Sequence, residues 1–166
     1  MSIETFIDKY KKQFKAMAPD YDVPFEYSTA TPVEFQDADN VKLSFACIAD
    51  THLIDKESAT ANLENFFTDV FSSKKAFDAV MLAGDIAEYG KKAEYRRFFN
   101  VFDKYYNKVK IFLTMGNHDV RFQYGRNQKI IMDKVNEYLN INTNGKSFYS
   151  YDINGHTIIV IGTEKR

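Results

Sequence analysis

The sequence predicts an α/β fold in which a parallel or mixed β-sheet is flanked by helices. Three short apolar segments have the pattern of buried strands, and a segment with the three- and four-residue apolar spacing of an amphipathic helix follows each of them. The predicted strands are 41–48, 77–83 and 110–114, and the predicted helices are 58–72, 92–106 and 128–139. Strands that alternate with helices need crossover connections, which produce a parallel sheet.

The two ends of the sequence differ from this pattern. Residues 147–153 and 156–161 predict an antiparallel hairpin, because the intervening Asn-Gly suits the positive backbone angles of a two-residue turn. At the other end, residues 2–17 predict an amphipathic helix and residues 18–40, which hold all three prolines, predict an extended arm. We therefore divide the chain into an N-terminal helix and arm (1–40) and a domain (41–166).

Composition narrows the classes of function. The chain has 166 residues, of which 45% are hydrophobic and 27% charged, as expected for one globular domain. A net charge of −1 argues against nucleic acid and against an anionic membrane surface as partners. The single cysteine, Cys47, lies in an apolar run, which predicts a buried thiol. No apolar run approaches the roughly 20 residues of a membrane span, and we expect a cytoplasmic protein.

Polar motifs follow each of the three predicted parallel strands. They are Asp50-Thr51-His52, Gly84-Asp85 and Gly116-Asn117-His118-Asp119. Loops at the carboxyl ends of neighbouring parallel strands face one crevice, so these side chains are expected to converge. One such motif could equally supply helix caps or solvated loop residues. Three motifs in matching positions favour a shared site.

The chemistry of this set predicts a metal centre. Carboxylate and imidazole ligands suit Mn, Fe or Zn, and Asp50 and His52 are close enough in sequence to bind one cation. Asp85 could bridge two cations with its two oxygens, and Asn117 offers a neutral oxygen. Two cations ~4 Å apart can clamp a phosphoryl group.

Proton transfer is assigned to the last motif. His118 could protonate the leaving oxygen of a phosphoester, and Asp119 could orient its imidazole. We therefore predict His118 and Asp119 as catalytic residues.

Together, the three motifs resemble the ordered signature of the calcineurin-like metallophosphoesterase superfamily. The resemblance implies a two-sheet sandwich flanked by helices and a dinuclear metal site. It assigns Asp50 and His52 to the first metal, Asp85 to the bridge, Asn117 to the second metal and His118 to the catalytic acid.

Within that superfamily, the sequence is most similar to the branch related to class III cyclic nucleotide phosphodiesterases. The similarity lies in Asp50-Thr51-His52-Leu53, in residues 84–88 and in Arg121.

The sequence departs from the family pattern in its histidines. The family has three more, one alone and then a Gly-His-x-His pair, whereas this sequence has only His52, His118 and His156. Gly155-His156 is followed by Thr157 and an apolar run, so His156 is interpreted as the start of a hairpin strand. We therefore expect the N-terminal portion of a longer enzyme, with at most partial metal occupancy and impaired activity in this chain alone. We also hypothesise a homodimer or swapped dimer through exposed strand edges.

Two functions remain in competition at this point. The first is a metal-dependent phosphomonoesterase or phosphodiesterase acting on a small-molecule phosphoester. The second is a non-catalytic binding or scaffold module that retains the fold.

Overall fold

The computed structural model describes residues 41–73 and 76–164, which form a parallel sheet, an antiparallel hairpin and helices. The strands are β1 (Phe45–Ile48), β2 (Ala79–Ala83), β3 (Lys110–Thr114), β4 (Phe148–Ile153) and β5 (His156–Ile161). The helices are α1 (Ala61–Ser72, preceded by a 3₁₀ turn), α2 (Lys92–Phe102), α3 (Asn117–Arg121) and α4 (Tyr124–Leu139). The predicted N-terminal helix and arm lie outside the described residues.

The three crossover-connected strands form one parallel sheet in the order β1-β2-β3. Ile48 aligns with Leu82, and Leu82 aligns with Leu113, so the three strands end near the same edge. Most side chains of β2 and β3 are buried, as their continuous apolar sequences predict. The predicted α/β fold with a parallel sheet flanked by helices is confirmed.

The helices cover the sheet with the apolar stripes that the sequence predicts. Leu63, Phe67 and Val70 of α1 are buried at helical spacing. Phe102 of α2 meets Phe67 edge to face, with ring centroids 4.8 Å apart. This aromatic contact joins the two crossover helices.

The end of α2 and the beginning of α4 differ from the predicted residues. At both places, hydrogen bonds that the apolar pattern does not show decide where the helix stops or starts. α2 ends at Phe102 because residues 103–109 form successive hydrogen-bonded turns. α4 begins at Tyr124, four residues early, where the Asn127 side chain donates to the carbonyls of Asp119 and Phe122. Apolar periodicity in the sequence predicts neither these turns nor the Asn127 hydrogen bonds.

β1 is more exposed than the sequence predicts. Phe45 is 43% exposed, and Cys47 is exposed as well, so the prediction of a buried thiol is wrong. Ala46 and Ile48 pack on the core from the other face. The reason is position: β1 is an edge strand of the described sheet, and the described residues cover one of its faces.

The hairpin forms as predicted and is attached to the edge of β3. Asn154 and Gly155 have φ values of 51° and 77°, as a tight two-residue turn requires. The buried Tyr149 hydroxyl accepts from the Leu113 amide at 3.1 Å and donates to the Leu113 carbonyl at 2.9 Å. One side chain therefore satisfies both backbone groups of a residue in β3.

A second attachment lies at the opposite end of the hairpin. The Asp78 carboxylate accepts from the Ser44 amide and from the Asn154 side chain, each at 2.8 Å. The Ser44 amide is the main cause that lowers the pKa of Asp78 below its ordinary value.

Among the described residues, every helix is too short or too polar to cross a membrane.

Replacing Tyr149 by Phe is expected to lower the free energy of unfolding by about 1–3 kcal/mol, because two buried backbone groups of Leu113 lose their partner. Chemical denaturation measures this difference. Tyr151→Phe, at a half-buried position of the same strand, is the control and should cost less. Equal losses in the two variants would show that the Tyr149 hydroxyl does not attach the hairpin.

Asp78→Asn is expected to lower stability by about 1 kcal/mol at neutral pH and to have little effect in strong acid. The folded-state pKa is lowered, so the stabilisation is present above the unfolded pKa of about 3.9 and is lost as pH falls through the folded value. Denaturation across a pH series tests this. Asp133→Asn, on the exposed side of α4, is the control; a deficit of Asp78→Asn that is constant with pH would contradict the assignment.

Candidate metal centre

The first two motifs are brought together by backbone hydrogen bonds that continue the pairing of β1 with β2. The amide of Asp50 donates to the Gly84 carbonyl at 3.2 Å, and the amide of His52 donates to the Asp85 carbonyl at 3.0 Å. Asp50 and His52 therefore lie beside Asp85, as the sheet topology predicts.

The third motif approaches the second through two glycines. A Cβ on Gly84 would lie 2.7 Å from the Gly116 Cα, and a Cβ on Gly116 would lie 2.1 Å from Asp85 Oδ1. Side chains at either position would push the loops apart. Glycine is therefore required here for close approach of the backbones.

Three of the predicted metal ligands have left-handed backbone angles. The φ values are 53° at Asp50, 40° at His52 and 49° at Asp85. This conformation costs about 1–2 kcal/mol for each non-glycine residue, and such strain concentrates at functional sites. The sequence carries no periodic signal that predicts it.

The side chains of these residues converge on one point. His52 Nε2 lies 3.6 Å from Asp50 Oδ1 and 3.9 Å from Asp85 Oδ2. Bonds of about 2.0–2.2 Å from one cation to carboxylate oxygen and imidazole nitrogen would hold ligand atoms at such separations. Asp85 is buried and Asp50 is exposed, so the point is open to solvent on one side.

His118 lies next to this group. Its ring centroid is 4.5 Å from that of His52, and its backbone amide donates to Asp85 Oδ1 at 2.8 Å. His118 Nδ1 is 2.8 Å from the Glu88 carbonyl oxygen. A carbonyl only accepts, so His118 Nδ1 carries the proton in this contact and Nε2 is left for chemistry.

Glu88 is the site residue that the sequence analysis missed. Its Oε2 lies 2.8 Å from His52 Nδ1 and 4.0 Å from His118 Nδ1. Its position three residues after Asp85, in the same loop, was the available signal. Periodicity says nothing about where a loop side chain points.

Asp119 does not orient the imidazole of His118, and that prediction is wrong. Asp119 is fully buried, and its Oδ2 accepts from the amides of Gly116 at 3.0 Å and Ile86 at 3.2 Å. Its Oδ1 accepts from the Tyr95 hydroxyl at 2.8 Å and the Ala87 amide at 3.4 Å. Both oxygens of Asp119 therefore hold the loops together, and their partners do not include the His118 ring.

Asn117 is exposed at the beginning of α3, next to His118. Its role as a ligand of a second metal stays a prediction.

The donor set fits the divalent cations that the sequence predicts. Among the described residues, two groups have ligand atoms within 4.8 Å of one another: Asp50, His52 and Asp85, and His52, Glu88 and His118. His52 Nδ1 is buried without a well-aligned hydrogen bond, although Glu88 Oε2 is near it. His52 Nε2 and the nearby oxygens of Asp50 and Asp85 make a mixed imidazole–carboxylate set of the kind that binds divalent transition metals.

Comparison with known proteins identifies a relative of this chain and its family. The chain is 28% identical over 123 residues to a probable cyclic nucleotide phosphodiesterase of Fibrobacter succinogenes. The alignment covers 72% of this chain and 44% of the relative, so the chain spans less than half of the relative's length. A model of the calcineurin-like phosphoesterase family matches residues 43–164, which include all three motifs and the hairpin. The chain therefore belongs to the calcineurin-like phosphoesterase family.

Proposed function

We propose that this protein is a metal-dependent phosphoester hydrolase with a dinuclear metal centre, and that this chain supplies part of that centre. The convergence of His52 Nε2 on Asp50 and Asp85, with His118 beside them, carries the proposal. Membership of the calcineurin-like phosphoesterase family supports it.

Asp50, His52 and Asp85 would hold the first cation, of Mn, Fe or Zn. Asp85 Oδ1 accepts from the His118 amide, and Asp85 Oδ2 lies 3.9 Å from His52 Nε2, so Asp85 would offer Oδ2 to this cation. As the predicted bridging residue, Asp85 would be shared with the second cation. Asn117 would contribute to that second cation. When bound, such cations neutralise phosphoryl charge and activate water for in-line attack.

His118 would act as the general acid. The Glu88 carbonyl holds its Nδ1–H, which fixes the ring and leaves Nε2 to carry the proton toward a leaving oxygen. The His118 amide on Asp85 fixes the position of the backbone as well. The acid is thus attached to the same carboxylate that would bind metal.

The substrate would be a small-molecule phosphodiester or phosphomonoester. The name of the Fibrobacter relative favours a phosphodiester of the cyclic nucleotide type. Cytoplasmic location and dimerisation through strand edges stay predictions.

The remaining metal ligands would come from outside this sequence. Its third histidine, His156, is exposed at the beginning of β5 in the hairpin, consistent with its interpretation as a strand residue. We therefore propose that this chain alone binds metal partially and hydrolyses phosphoesters poorly.

The test measures Mn²⁺ and Zn²⁺ binding by calorimetry, and hydrolysis of a bis-aryl phosphate, on this chain and on any longer native form of it. His118→Gln is expected to retain metal and to lose roughly 10²–10⁴-fold in hydrolysis by the longer form, the contribution of general acid catalysis. Asp85→Asn is expected to lose metal binding and hydrolysis together, and chelation should abolish hydrolysis reversibly.

His156→Gln is the matched control, because it removes a histidine away from the proposed centre, and both readouts should be unchanged. Absence of metal uptake by the longer form, or hydrolysis insensitive to His118→Gln, would contradict the proposal. A folded protein that takes up metal without hydrolysis would support the non-catalytic binding module instead.

A further inference from the structure

We propose that Glu88 is a positioning residue that orients both imidazoles of the centre, with its side chain on His52 and its main-chain carbonyl on His118. The inference rests on the proposed function, because it concerns how His52 is presented to a cation. Glu88 would hold the two imidazoles in place and would not itself bind the cation.

The two ring nitrogens of His52 face different partners. Nε2 faces Asp50 and Asp85, at 3.6 and 3.9 Å, where a cation would bind. Nδ1 faces Glu88 Oε2 at 2.8 Å, on the opposite side of the ring. Histidine ligands of metals commonly donate their second N–H to a carboxylate, which fixes the tautomer and the ring orientation.

The carboxylate of Glu88 is available to His52 because His118 is satisfied by another atom. His118 Nδ1 lies 2.8 Å from the Glu88 carbonyl but 4.0 Å from Glu88 Oε2. The main chain of Glu88 thus holds one ring, and its side chain is left for the other. His52 Nδ1 is buried and lacks an aligned partner, so Glu88 Oε2 is the acceptor that a small rotation would align.

The loop around Glu88 is fixed well enough to position other groups. The Glu88 amide donates to the Leu53 carbonyl at 3.1 Å, which attaches it to the loop that carries His52. On the other side, the amides of Tyr89 and Lys91 donate to Glu94 Oε2, at 3.1 and 2.9 Å. Glu94 is buried in the first turn of α2, so the helix anchors this loop.

The consequence is a defined tautomer for His52. With Nδ1–H donated to Glu88, the lone pair of Nε2 is directed at the cation position before any cation binds. Without the carboxylate, this tautomer is no longer selected, and metal affinity should fall by roughly 10–100-fold, as for other supporting residues of metal ligands.

The test is long-range ¹H–¹⁵N NMR of the ring nitrogens in metal-free protein at about pH 8. The sequence has three histidines, so His118→Gln and His156→Gln assign the signals. In the wild type, His52 should be the Nδ1–H tautomer. Glu88→Leu should move it toward Nε2–H and leave His118 unchanged, because the carbonyl remains.

Zn²⁺ binding measured by calorimetry is the second readout. Glu88→Leu should weaken binding by roughly 10–100-fold without changing the stoichiometry, and Glu88→Gln, which keeps a neutral acceptor, should lie between. Glu137→Leu, at an exposed glutamate of α4, is the control and should change neither readout. Should Glu88→Leu fail to fold, Glu88→Gln carries both measurements.

Separate outcomes overturn the two proposals. An unchanged His52 tautomer in Glu88→Leu, a change at His118 instead, or loss of one bound equivalent of Zn²⁺ overturns the positioning role; the last would make Glu88 a ligand. A wild-type protein whose His52 is Nδ1–H but which binds no Zn²⁺ in its longer native form overturns the proposed function.

Discussion

The candidate centre depends on the hydrogen bonds that the buried carboxylate of Asp119 accepts. This carboxylate accepts hydrogen bonds from the Gly116 amide in its own loop and from the Ile86 and Ala87 amides in the loop after β2. Burial is the main cause that raises the pKa of Asp119, and these hydrogen bonds oppose it. Burial is also the main cause that raises the pKa of Tyr95, and the nearby Asp119 charge raises it further. Tyr95 therefore remains a neutral donor to the same carboxylate. Because one carboxylate satisfies both loops, Asp85 and His118 keep a fixed separation.

The strained residues of the centre are held by the same framework. Asp50 and His52 adopt left-handed backbone angles while their amides bond to the loop after β2. Asp85, also left-handed, packs so closely on Gly116 that a side chain there would collide with it. The parallel sheet and Asp119 together offset the cost of this strain. At these angles, the carboxylates of Asp50 and Asp85 and the imidazole of His52 lie around one point.

The sequence was sufficient to predict the strands, their parallel arrangement and the hairpin, because apolar periodicity and the Asn-Gly turn are local signals. It also placed Asp50, His52, Asp85 and His118 at one edge, since parallel strands end together. It failed where side-chain direction inside a loop decides the outcome. Asp119 was assigned to His118 by adjacency, whereas the fold turns it inward to backbone amides. Glu88 was missed for the same reason. The exposure of β1 was not predicted because it depends on which residues cover the edge of the sheet.

Asp50, His52 and Asp85 would form the cation site, with His118 beside it and Glu88 supporting His52. Anomalous diffraction at the manganese edge is the test, from crystals of the longer native form grown with Mn²⁺. We expect a peak about 2.0–2.3 Å from His52 Nε2, from a carboxylate oxygen of Asp50 and from Asp85 Oδ2, with Glu88 Oε2 on His52 Nδ1. A peak between His52 Nδ1, Glu88 and His118 would contradict this arrangement. So would the absence of a peak at both groups of potential ligands in Mn²⁺-saturated crystals.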